Sequence, residues 1–114
     1  PKTSKEVFKN AYKDATTSLT DLIPALDANH EAIVLMLRAT NVDGTNDATV
    51  DVRVVDSDGS SDSYIAKTMS VPADTSLDVL GTSKLVLDAG DKIQVLASAA
   101  SDIEFFASYL EITD

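Results

Sequence analysis

The sequence predicts an all-β chain: an antiparallel β-sandwich or jelly roll of seven to eight strands with an N-terminal arm. Three observations predict it. From residue 33 onward, apolar and polar residues alternate with a period of two, the pattern of strands that bury one face. The alternating runs are short, and clusters of Gly, Asp, Asn and Ser separate them at regular intervals. The chain has 114 residues, enough for one hydrophobic core and too few for two, so stability must come from packing a single layered domain.

Taken in order, residues 1–18 form a basic arm and residues 19–114 the sandwich. In the arm, Lys2, Lys5, Lys9 and Lys13 recur at helical spacing with Phe8 and Tyr12 one turn apart, while Val7, Lys9, Ala11 and Lys13 also fit one face of a strand. A strand or extended arm is favoured over a helix, because an isolated helix this short is marginal in water. Leu19 to Ile23 reads as a strand that Pro24 ends. In the next run Ile33, Leu35, Leu37 and Ala39 share one face and Val34, Met36, Arg38 and Thr40 the other. Val50, Val52 and Val54 alternate with polar residues, and Ile65, Met69 and Val71 share a face with Lys67 before Pro72. Leu85 and Leu87 lead into the turn Asp88-Ala89-Gly90-Asp91, after which Ile93, Val95, Ala97 and Ala99 alternate with Gln94, Leu96 and Ser98. The last run, Ile103 to Ile112, sets Phe106, Leu110 and Ile112 against Phe105, Ala107 and Tyr109. Phe106 is expected to fill the core, with Phe105 or Tyr109 at an edge or subunit contact; a binding patch made of all three aromatics is the alternative.

Composition excludes several classes of function. Nineteen acidic residues against nine basic ones give a net charge of -10, which opposes nucleic-acid binding, since phosphate contacts need clustered Lys and Arg. With no cysteine, neither disulfides nor a thiolate metal site can form. No apolar run is long enough for a spanning helix and no charged-then-apolar leader opens the chain, so the expectation is a soluble protein without a membrane partner and not a secretion precursor.

The acidic stretch "DSDGSSDS", residues 56 to 63, raises the question of a calcium loop. An EF-hand loop needs glycine at its sixth position and glutamate at its twelfth; here Gly59 is fourth from Asp56 and Lys67 is twelfth. The stretch is therefore read as a hairpin tip, with Asp56, Asp58 and Asp62 kept only as weak candidates for a metal. Asn41 to Asp47 is read the same way. His30 is the only histidine and lies in the polar turn Asp27 to Glu31, where it is expected to be exposed. Without a second histidine, a cysteine or a Gly-rich phosphate cradle, no histidine-based triad, zinc centre or nucleotide site can be assembled. A carboxylate pair remains chemically open, yet the absence of Trp leaves little to stack on a sugar. No enzyme activity and no cofactor are expected.

The stretches "LTDLIPALDANHEAIVLMLRATN", "RATNVDGTNDATVDVRVVDS" and "LVLDAGDKIQVLASAASDIEFFASYLEI" resemble the small virion structural proteins of tailed bacteriophages. The resemblance rests on Pro24 after a strand, Asn41 with Asp43 and Gly44, the turn Ala89 to Asp91, and the terminal strand Ser108 to Ile112. It spans residues 19–112, and the N-terminal arm lies outside it. It implies a non-catalytic role in a phage particle. The expected role is a capsid decoration (cement) protein on the outer surface of the virion, bound to a major capsid protein and to itself, a trimer being the expected oligomer. Lys2, Lys5, Lys9, Lys13, Phe8 and Tyr12 of the arm are the expected partner-binding residues. Alternatives are a tail, neck or baseplate accessory, a head-fibre domain, and a calcium-dependent carbohydrate-binding module.

Overall fold

The structure, a computed structural model, describes residues 5–57 and 62–113; Lys2 and Asp58 fall outside them. Nine strands are formed: β1 (Lys5–Asp14), β2 (Thr20–Ile23), β3 (His30–Asn41), β4 (Ala48–Val55), β5 (Asp62–Val71), β6 (Ser76–Asp78), β7 (Leu85–Leu87), β8 (Lys92–Ala97) and β9 (Ile103–Thr113). One sheet has the order β1-β9-β3-β6, with β7 also paired to β3, and the other has the order β2-β8-β4-β5. Every pairing is antiparallel. This is the strand order of an eight-stranded jelly roll whose sixth strand is broken into β6 and β7, two short pieces laid end to end along β3. The expected seven to eight strands become nine through that break. Of the segment expected as an arm, residues 5–14 are β1, paired with β9 over ten consecutive positions.

The core lies between the sheets. Ala32, Val34, Leu37 and Ala39 of β3, Val50 and Val52 of β4, Ile93, Val95 and Ala97 of β8, and Ile103, Phe105 and Ala107 of β9 are all buried. Register shifts in β3 and β5 break the strict alternation read from the sequence. In β3 the register shifts between Val34 and Met36, so Leu35 is an extra residue, and the buried face passes from Ala32 and Val34 to Leu37 and Ala39. Ile33 and Leu35 therefore face away from the core. In β5 the register shifts around Val52, and Lys67 and Thr68 together oppose Asp51. Thr68 has φ 51°, held there because Asp51 Oδ1 accepts its N–H at 2.8 Å while Lys67 Nζ donates to Oδ2 at 3.1 Å. A second shift leaves Ile65 unpaired between Tyr64 and Ala66, so Met69 and Val71, opposite the buried Val50 and Ala48, share their face with Ala66 and not with Ile65 as predicted, and Met69 is nonetheless 44% exposed.

The last strand also corrects an expectation. Phe105 fills the core and Phe106 is 38% exposed, the reverse of the predicted arrangement, and Tyr109 is buried. Its pairing with Ala39, a buried residue of β3, fixes Phe105 on the inner face.

The loops gather at the two ends. Residues 15–19, 42–47, 72–75 and 98–102 meet at one end, tied by Val42 N–H to Asp102 O at 2.8 Å, Asp74 N–H to Asp43 O at 3.2 Å and Ser101 N–H to Ala15 O at 3.2 Å. Asn41 closes this end: its buried Nδ2 donates to Asn46 O and Val71 O, each at 2.9 Å, and its Oδ1 accepts Asp43 N–H at 2.9 Å. The Asn41 to Asp47 segment crosses between the sheets, so it is not the hairpin tip the sequence suggested. The β4–β5 connection is a hairpin, with Val55 opposite Asp62. At the other end Gly90, φ 85°, lies so close to Ser57 that a Cβ would stand 2.6 Å from the serine Cβ, which requires glycine there.

Candidate partner-binding face

The residues expected to bind a partner fall on two faces of β1. Phe8 and Tyr12 point outward from the first sheet and are 76% and 77% exposed. Strand pairing extends both across the sheet. Phe8 lies opposite Leu110, which lies opposite Ile33, which lies opposite Val86, so one apolar row crosses β1, β9, β3 and β7. Tyr12 lies opposite Phe106, and the two rings stack with centroids 6.3 Å apart and an interplanar angle of 9°. Between these rows sit the uncharged Asn10, Ser108 and Met36, and the second row passes from Phe106 to the exposed Arg38 of β3, which lies opposite Asp78 of β6. A chain with a net charge of -10 thus leaves on one face an open apolar and aromatic strip that carries no carboxylate across β1, β9 and β3 and one cation, Arg38.

The strip has charged borders. On one side Glu6, Ile112 and Glu31 form the next row, and on the other Asp14 lies opposite Glu104, which lies opposite Thr40. Tyr12, Lys13, Asp14, Thr40, Glu104, Phe105 and Phe106 line a shallow groove of about 630 Å³ there.

The lysines occupy the other face of β1. Lys9 Nζ lies 3.3 Å from Glu111 Oε1, and His30 Nδ1 lies 2.6 Å from Glu111 Oε2. Burial pushes the Glu111 carboxyl up, but the hydrogen bonds from His30 and Lys9 and their charges outweigh it and hold it below its ordinary value. His30 is the first residue of β3 and half-buried, not an exposed turn residue. Lys13 is half-buried and Lys5 exposed. The structure therefore brings Phe8 and Tyr12 onto one surface and directs Lys9 away from it. The contributions of Phe106, Leu110, Ile33 and Val86 were missed because they depend on register, which the sequence does not display.

Of the candidate metal ligands, Asp56 accepts Ser57 N–H at 2.8 Å, Asp62 pairs with Arg53 Nη1 at 3.1 Å, and Asp58 lies outside the described residues. Among the described residues no three His, Asp or Glu side chains converge as a metal cage. At the loop end, Asp43 accepts backbone N–H groups from Thr45 at 2.8 Å and Asn46 at 3.3 Å, which with the Asn46 side chain hold its carboxyl below the ordinary value. Asp102 is raised, first by desolvation, then by the Asp43 charge and their shared hydrogen bond. The four loops at this end carry Asp43, Asp47, Asp74 and Asp102 and no Lys, Arg or His. No helix among the described residues is long and apolar enough to cross a membrane.

The fold places the chain among jelly-roll domains, an architecture used by viral capsid proteins and lectins. No family model matches the sequence, and no curated protein matches it significantly. Solved structures share the fold. A subunit from Bacillus endospore appendages, described as a novel family of disulfide-linked pili, is 17% identical over 99% of this chain and 90% of its own, with a TM-score of 0.55. A chain of infectious bursal disease virus, Gx strain, is 12% identical over 96% of this chain with a TM-score of 0.55; this chain spans 32% of its length. The Drosophila NLP core, described in terms of pentamer formation and histone binding, is 12% identical over 92% of this chain and 95% of its own, with a TM-score of 0.51. At these identities the likeness is one of fold.

Proposed function

We propose that this chain is a structural protein of a virus particle, a decoration (cement) protein that binds the outside of a bacteriophage capsid in many copies. The observation that carries the reading is the jelly-roll sandwich with an apolar and aromatic strip, Arg38 its one charge, left open on the outer face of its β1-β9-β3 sheet. Such a strip, bordered by carboxylates, fits a surface built for contact with a flat protein partner, the major capsid protein in this reading. The fold likeness to the infectious bursal disease virus chain supports it, as does the phage resemblance of residues 19–112. Each contact is modest, and many copies sum to bracing of the shell. Densitometry of purified particles tests the reading: hundreds of copies are expected, and a dozen would move the protein to a tail, neck or baseplate.

One observation favours a second reading, a subunit of an extracellular filament: the pilus subunit matches over nearly the whole of both chains. This chain has no cysteine, so copies would be linked by strand contacts and not by disulfides. Electron microscopy of the concentrated protein distinguishes the two, since only the second expects filaments.

A further inference from the structure

We propose that the open edge of β1 binds a second copy of this chain, the two β1 strands running antiparallel about a two-fold axis at Asn10. The inference deepens the reading above and rests on it, since many copies are gathered on one particle, and it joins the two β1-β9-β3 sheets into one.

A sheet edge offers a row of free N–H and C=O groups, and folded proteins blunt such edges with short strands, bulges or proline. Three of the four edges here are blunted in that way. β6 and β7 have three residues each, β2 has four with a register shift before Pro24, and β5 is bulged at Thr68 and stops before Pro72. β1 is different. It has ten residues, contains neither proline nor bulge, and is exposed along nearly its whole length. Among the described residues no strand pairs with its outer edge.

The sequence of β1 selects the register. Directly opposed residues of antiparallel strands share a face, so an axis at Asn10 sets Phe8 against Tyr12 of the second copy on the outer face, twice. On the inner face it sets Lys9 against Ala11 and Lys13 against Val7. An axis at Lys9 would set Lys9 against Lys9 and Lys5 against Lys13, and an axis at Ala11 would set Lys9 against Lys13. An axis at Phe8 shortens the overlap and leaves Tyr12 with no opposing residue in β1. Only the Asn10 register keeps lysines apart while using both aromatic rings. Lys9 presents little obstacle, since its ammonium is drawn back to Glu111 of its own chain.

The magnitudes match a stable contact. Nine opposed pairs supply roughly ten main-chain hydrogen bonds, the number a typical protein interface carries. Half-covering four rings that each bring roughly 150–250 Å² removes on the order of 400 Å² of aromatic surface, which extends the Tyr12–Phe106 stack of each copy. Glu6 meets Asp14 at each end, so the dimer tightens as ionic strength rises. The resulting symmetry is two-fold, in place of the three-fold expected from the sequence.

The absence of cysteine makes a direct test possible. Opposed α-carbons at an antiparallel dyad stand about 4.5 or 5.5 Å apart, within disulfide range. Three results are expected for the full chain: sedimentation at twice the 12.1 kDa monomer mass near ~100 µM, an intermolecular disulfide in Asn10→Cys forming at least ~10-fold faster than in the loop control Thr45→Cys, and a monomeric Phe8→Lys/Tyr12→Lys double variant with an unchanged circular dichroism spectrum. Monomer mass throughout, a dimer untouched by the double variant, or equal crosslinking of the two cysteine variants overturns the pairing. A monomer that still decorates particles in hundreds of copies would remove this pairing and leave the decoration reading standing.

Discussion

Glu111 of β9 and His30 of β3 meet at 2.6 Å, Oε2 to Nδ1, across 81 residues of sequence, and Lys9 of β1 closes on the other carboxylate oxygen at 3.3 Å. One side chain thus fastens three adjacent strands at the end of the sheet where β1 begins. Because its native carboxyl is held below the ordinary value of 4.5, the stability it contributes is complete above that value and is lost as pH falls through the lowered native one. Glu111→Gln is expected to cost about 1–2 kcal/mol at pH 7, with the gap to the parent closing below the ordinary glutamate range. Urea titrations at a series of pH values measure it.

Asp102 carries the opposite sign. Its carboxyl is raised, by desolvation and then by Asp43, so its ionised form disfavours the folded state and stability is gained as pH falls through the raised native value. Asp102→Asn should raise the melting temperature at pH 7 and lose that advantage once the parent carboxyl is protonated. Thermal melts of both proteins at pH 7 and in acid decide the matter.

Adjacent phenylalanines in β9 should respond very differently to truncation. Phe105→Ala empties a core position and is expected to cost about 3–5 kcal/mol, whereas Phe106→Ala removes a half-covered ring and should cost less than about 1 kcal/mol. Equal losses in chemical denaturation would contradict the assigned faces.

Asn41 satisfies two backbone carbonyls and one N–H where the loops of one end meet. Asn41→Leu keeps the volume and removes all three bonds, so a loss of about 2–4 kcal/mol is expected. Hydrogen exchange should quicken first at Asp43 and Val42, next to the lost acceptor.

Deleting residues 1–13, most of the segment the sequence set apart as an arm, should strip β9 of all but Asp14 of its β1 partner. The truncated chain is expected to aggregate, and static light scattering shows this directly.

The class of fold was legible because alternation, turn chemistry and the single-domain length all pointed to one architecture. Ile93, Val95 and Ala97 read correctly as one buried face since β8 has no bulge. β3 was misread past Leu35, and β5 across Ile65 and Thr68, where extra residues reverse the face of their neighbours. Nothing local marks either bulge: Leu35 is an ordinary strand residue, and Thr68 takes its conformation from Asp51, seventeen residues away. The aromatic pair Phe8 and Tyr12 was visible in sequence, but the row they extend across the sheet was not, because Leu110, Ile33 and Val86 join it only through pairing.

Lys5 and Thr113 lie opposite each other, at the far pole from the four aspartate-bearing loops. A cargo joined next to Lys5 or to Thr113 would leave the described domain from the same pole, so a fluorescent tag or antigen could be carried there while the carboxylate pole stays bare.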